Sequence, residues 1–360
     1  MIIYICVTLL IVILGLLIKP YKYPKNIKFF LIVSFVALTT ISAFRSYNVG
    51  VDTEQYYNAF SRIAYLDLEQ FSLLRYEYGF TFLCWMLSKI TLCPQILIIV
   101  TALFINIVIF NFIQKNSDDV FLSVLVYIFL NFYFSYMNIM RQALAICFIL
   151  IGYEFLKKNK NISFILFCFL GMLFHESAIL ALILLVIKKI KFHKSTCVII
   201  ICFIALSFLY GNRIFDYFAT YSPRLMDYVD SKYYVSNYLG SLLDALVYFL
   251  LYMFGIKILS NYDKNLFKNS NGEANFEIWA VGIACIFQTL VVKVSIFNRF
   301  SPYFSVFLIL WIPNCLSKIK NQKKRFLVSI ILVLILISYW LIINIFRPNW
   351  YGAVPYSLFF

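Results

Sequence analysis

"MIIYICVTLLIVILGLLIK", residues 1–19, is followed at once by "KPYKYPKNIK", residues 19–28. An uncharged run of this length matches the roughly 20 apolar residues that a helix needs to cross a bilayer. No charged segment precedes it and no small-residue cleavage site follows it, so it reads as a retained helix rather than a signal peptide. The pattern recurs along the chain. Apolar runs fall at 1–19, 29–44, 79–93, 95–113, 119–137, 139–156, 161–175, 177–190, 195–211, 239–260, 275–296, 299–316 and 326–346. The composition agrees: 63% of residues are hydrophobic and 13% charged, where a soluble domain has about 45–50% and about 25%. The reading is an all-α polytopic membrane protein forming a single integral membrane domain over 1–360.

Between the runs lie four lysine-rich connections: 19–28, "KKNK" (157–160), "KKIKFHK" (188–194) and "KIKNQKKR" (318–325). By the positive-inside rule all four are cytoplasmic. The net charge of +15 then reflects topology, and no nucleic-acid partner is inferred. Two moderate loops, 45–78 and 212–238, fall outside. Parity requires an odd number of crossings between 45–78 and 157–160, yet four runs lie there. The weakest is 79–93, which holds Lys89, Cys93 and Pro94. Read as re-entrant, or as merging irregularly with its neighbour, it leaves about 12 spans (11–13) with both termini outside.

Arginine and lysine separate by side. Eight of the nine arginines fall outside or at the outer boundary: Arg45, Arg62, Arg75, Arg141, Arg213, Arg224, Arg299 and Arg347. The positive-inside rule counts lysine and arginine alike and does not produce this split. Arginine's planar five-donor fork matches phosphate and carboxylate. Arg62, Arg75 and Arg347 are most simply solvated, or paired with loop acids such as Asp52, Glu54, Asp67, Glu69 and Glu77. Arg45, Arg141 and Arg299 each sit at the mouth of an apolar run, where an uncompensated charge is costly and usually marks a substrate or ion path, simple structural pairing being the alternative.

"LFHESAIL" (173–180) puts His175 at a helix junction, where an imidazole can accept a proton near neutral pH; a capping role is the plainer alternative. Ser177 is a common N-cap residue type. His193 lies in a lysine loop. Eight tyrosines, Tyr56 and Tyr57 among them, crowd the two outer loops, suited to stacking on sugars or to the membrane interface. The nine cysteines lie mostly in apolar runs, without CxxC spacing, and read as packing residues. With two histidines, no histidine-rich metal site is expected. The parts imply an outward site for an amphiphile with phosphate, sugar and lipid portions.

In order along the chain come Arg45 with "VGVDTEQYYNAF" (49–60), "YEYGF" (76–80), "MRQALAICFILIGYEFLKKNK" (140–160), "LFHESAIL", "NRFSPYF" (298–304) and "VPYSLFF" (354–360). This series resembles the EpsG-type branch of the Wzy-like bacterial polysaccharide polymerases, which include many O-antigen polymerases. The family's expected Gly-Thr-Asp reads Gly50-Val51-Asp52 here, and Glu176 is given no catalytic role. The resemblance implies a GT-C-like inner-membrane glycosyltransferase with its active site facing the periplasm. It would join undecaprenyl-diphosphate-linked oligosaccharide repeat units without a cofactor or metal. Its partners would be that lipid-linked substrate, membrane lipid and a chain-length regulator. On this reading Arg45, Arg141 and Arg299 bind the diphosphate, His175 or Asp52 takes the acceptor proton, with His175 slightly favoured, and Tyr56, Tyr57 and Arg224 meet the glycan.

Two rivals share the chemistry. An O-antigen ligase would use the same donor, but is expected to carry one very large outer loop. A flippase would line its central cavity with charge, whereas here Glu154 and Asp244 are the main charges inside apolar runs.

Overall fold

A computed structural model describes residues 1–191, 194–221, 226, 229, 234, 238–262 and 273–360. These residues are helical throughout, apart from turns and one isolated β-bridge. The chain divides into two units, Met1–Ile179 with Lys323–Phe360, and Leu180–Gln322.

The first unit holds α1 (Ile2–Ile18), α2 (Ile27–Ala43), α3 (Thr53–Ile63), α4 (Tyr78–Ser88), α5 (Gln95–Asn116), α6 (Val120–Phe129), α7 (Phe132–Asn138), α8 (Met140–Lys157) and α9 (Asn161–Met172). It is closed by the helix Gln322–Phe346. The α5 helix has 22 residues, about 33 Å at about 1.5 Å per residue, enough for a hydrocarbon core of about 30 Å. By contrast α4 has 11 residues, about 16 Å, roughly half a crossing. The odd run of the sequence is therefore a half-length helix, too short for a full crossing.

The run 119–137 is a broken helix. The α6 and α7 axes bend by 53° at Leu130–Asn131, where Asn131 takes φ 61. Asparagine tolerates this left-handed conformation better than other non-glycine residues. Its buried side chain accepts a hydrogen bond from Asn344 Nδ2 at 2.8 Å. The break turns the carbonyl of Met137 and the side chain of Asn138 toward the loop after α2.

At the opposite end of these helices, Lys157 Nζ donates to Asn116 Oδ1 at 2.7 Å, Asn116 donates to Glu154 at 2.7 Å, and Arg325 meets Asp119 at 3.4 Å. The last residues of α5 and α8 and the first of α6 and of Gln322–Phe346 are thus tied together.

In the second unit, 183–187 is α10, Lys194–Ala219 α11, Tyr238–Tyr262 α12, Glu273–Val291 α13, Pro302–Ser305 α14 and Leu308–Ser317 α15; Gln322–Phe346 of the first unit is α16. The expected span 177–190 is instead a 3-10 turn, Glu176–Leu182, running into the short α10. The expected loop 212–238 is also partly helix, because α11 continues to Ala219. Buried Trp311 donates to the Leu251 carbonyl at 3.1 Å and stacks on Tyr252.

Among the described residues, five helices are long and apolar enough to cross a membrane: Pro24–Ala43, Gln95–Asn116, Ser195–Ala219, Tyr238–Tyr262 and Gln322–Phe346. The bent pair α6–α7 makes a sixth if it counts as one span. The remaining apolar helices are shorter, and the count of about 12 is not reached.

Candidate functional site

The loop after α2 is built around Arg45. Its Nη2 donates to the Met137 carbonyl at 2.9 Å, Nε to Val49 at 3.3 Å, and Nη1 to Ser42. Gln95 Nε2 braces the same corner by donating to the carbonyls of Ala43 and Arg45, at 2.8 and 3.1 Å. Residues 352–359 lie across the loop as a strap. Gly50 N–H donates to Gly352 at 2.8 Å, Ser46 N–H to Ser357 at 2.9 Å, and Phe359 N–H to Phe44 at 3.0 Å. Arg45 and Leu358 form an antiparallel bridge, and Tyr356 Oη donates to Ile41 at 3.0 Å. Arg45 is left 2% exposed. Burial pushes its guanidinium down to about 10, while the phenols of Tyr133, Tyr4 and Tyr356 act the other way. Arg45 thus stands at the mouth of its run, as expected, but its fork is spent on carbonyls. A diphosphate would have to displace them and the strap to reach it.

Beyond Arg45 the loop turns at Gly50, whose φ of 104 falls where side chains are disfavoured. A Cβ there would also stand 2.4 Å from Thr53 Oγ1. The turn delivers Asp52, whose N–H donates to Asn138 Oδ1 at 2.8 Å, to the start of α3. The α3 helix is amphipathic. Thr53, Tyr56, Ala59, Phe60 and Ile63 face inward, the spacing of one helical stripe. Tyr56, Ala59, Phe60 and Ile63 pack with Phe80, Cys84, Leu87, Leu97, Ile98 and Met140. Tyr56, expected at the glycan, is 5% exposed within this cluster. Burial pushes its phenol up to about 12, so it is a neutral hydroxyl. Tyr57 is half-buried, its ring centroid 5.5 Å from that of Tyr47.

Arg141, in the first turn of α8, lies against this cluster. It pairs with Glu77, the two side chains being 22% and 15% exposed. Its guanidinium carbon stands 5.1 Å from the Tyr76 ring, 5.8 Å from Tyr56 and 5.9 Å from Phe80, within cation–π range. Its Nε is buried with no hydrogen-bond partner. Glu77 precedes α4 in extended conformation, and its carbonyl accepts from Thr81 N–H at 3.1 Å and Oγ1 at 3.2 Å.

The third piece is the turn after α9. Gly79 N–H donates to the Leu173 carbonyl at 2.7 Å, and a Cβ on Gly79 would meet that oxygen at 2.7 Å. Only a glycine lets the two backbones approach so closely. Phe174 packs on the α3–α4 cluster. His175 follows, half-buried, its Nδ1 2.6 Å from Ser177 Oγ. One end of the first unit therefore gathers Arg45, Asp52, Glu77, Arg141 and His175.

Arg299 belongs to the second unit, on the 3-10 turn Ser295–Arg299, beside a cluster containing Phe215, Val294 and Phe297. Arg224 and His193 lie outside the described residues. The residue that sequence reasoning left among the loop acids is Glu77. Its signal was its place between two tyrosines in "YEYGF".

Apolar helices of spanning length, a broken helix and charge gathered at helix ends define a multi-pass helical membrane protein. The EpsG family model matches residues 28–358, and the chain belongs to that family. Comparison with curated proteins and with solved structures gave no match.

Proposed function

We propose that the protein is a polysaccharide polymerase of the bacterial inner membrane, a multi-pass GT-C-like glycosyltransferase with a periplasmic site. It would join oligosaccharide repeat units carried on undecaprenyl diphosphate. The observation that carries this reading is Arg141, a permanent cation held by aromatic faces at the start of a helix. Its positive charge and the helix N-terminus act together on an anion.

In the reaction, an acceptor hydroxyl oxygen attacks the anomeric carbon of the donor sugar. The bond from that carbon to the diphosphate oxygen breaks, and its electron pair leaves with the lipid diphosphate. Arg141 stabilises the charge that develops there, and such preorganised donors are commonly worth about 10²–10³ in rate. The acceptor proton passes to His175 or Asp52. With the ring proton on Nδ1 and donated to Ser177 Oγ, 2.6 Å away, Nε2 would be the basic nitrogen of His175. Arg45, by contrast, would hold the rim of the site in shape.

The test is the surface-polysaccharide ladder of a strain lacking this gene. A core-plus-one-repeat band without the ladder is expected, because ligation and flipping continue. Loss of every repeat-bearing band would reassign the protein to ligation or flipping.

A further inference from the structure

We propose that Glu77 is a resident counter-ion, displaced from Arg141 when a polyprenyl diphosphate binds and reclaiming it when the product leaves. This rests on the reading that Arg141 is the diphosphate ligand.

The pair is largely shielded from water, with side chains 22% and 15% exposed. A bare guanidinium there would be costly, so an empty site needs a local anion. Glu77 can serve without moving the backbone. Its carbonyl is held by Thr81 and the next turn by Gly79 on Leu173, which leaves its side-chain torsions as the moving part. The rings of Tyr56, Tyr76 and Phe80 hold the guanidinium in place when the carboxylate swings away.

The exchange favours a polyanion. Glu77 Oε2 contacts Arg141 Nη1, while buried Nε has no partner. A diphosphate presents several oxygens to a five-donor fork and can satisfy more of it. A single carboxylate, or a monophosphate of lower charge, gains less and competes poorly with Glu77.

The same exchange bears on turnover. Glycosyl transfer turns a diphosphate diester, about −2, into a monoester whose terminal phosphate raises the charge toward about −3. Product therefore holds Arg141 more tightly than donor does. The returning carboxylate offsets that gain and helps product leave, which makes Glu77 a positioning residue acting through Arg141.

The experiment uses purified full-length protein in lipid nanodiscs with farnesyl diphosphate as probe and farnesyl monophosphate as comparison. Glu77→Gln keeps a hydrogen-bonding oxygen for Arg141 and removes the charge. It is expected to bind farnesyl diphosphate about tenfold tighter than wild type, the size of one charged hydrogen bond, and to bind the monophosphate relatively better as well. Single-turnover transfer should persist while steady-state turnover falls. If Glu77→Gln lowers the melting temperature, Glu77→Asp supplies the comparison, with affinity expected between wild type and no carboxylate. Unchanged or weaker binding in the Glu77 variants, with Arg141→Gln binding poorly, overturns the counter-ion role and leaves Arg141 as ligand. Wild-type binding by Arg141→Gln overturns the Arg141 reading itself.

Discussion

Arg45 and Arg141 stand at the same end of the first unit, each where a helix meets a loop, yet they are seated in opposite ways. Arg45 is covered by the strap, and its donors meet backbone carbonyls of Ser42, Val49 and Met137. Arg141 faces a movable carboxylate and three rings and keeps part of its surface open. Carbonyls fixed in a backbone cannot leave without unmaking the local fold, whereas a carboxylate on rotatable bonds can. One arginine therefore organises structure, and the other can trade partners.

The strongest way to break this contrast is to remove the charge at Arg45. Arg45→Met leaves three carbonyls without their donor and is expected to destabilise the protein by about 3–5 kcal/mol. The loss should appear as a lower melting temperature in detergent and a lower membrane yield. A variant that folds normally and loses only activity would make Arg45 a ligand after all. Next, Arg141→Gln is expected to cut polymer synthesis by about 10²–10³, well beyond the loss of membrane yield from leaving Glu77 unpaired. Arg141→Lys keeps the charge and loses the fork, and should fall between. Gly50→Ala, at φ 104 and against Thr53, is expected to cost about 1–3 kcal/mol in the same melting assay and to loosen the Arg45 seat. Tyr76→Leu is the mildest change. Losing one cation–π face should weaken the hold on Arg141 by about 0.5–1 kcal/mol, read as a roughly two- to fivefold rise in the donor concentration needed for half-maximal rate.

Much of the helix pattern was legible because membrane spans are written in contiguous residues. The run 95–113 became α5, and the odd run 79–93 became the half-length α4. The α3 helix was hidden because its polar face dominates a plain hydropathy reading. Its inward stripe, Tyr56, Ala59, Phe60 and Ile63, needs a helical period to be seen. The break at Asn131 carried no proline or glycine to announce it. The site depended on distance along the chain. Arg141 meets Glu77 from 64 residues away, and Arg45 meets Met137 from 92. A sequence shows that an arginine stands at a helix mouth, but not whether a later segment will fold over it.

The strap sets a timetable for biogenesis. Tyr356 reaches back 315 residues to Ile41. At about 5–20 residues per second, the ribosome needs roughly 15–60 s to supply that partner. Throughout this interval the loop around Arg45 stands with its strap still unmade. The first unit is thus begun early and sealed only after α16 is made, and a translation pause or premature stop between α15 and the strap would strand a charged, open corner for membrane proteases to find.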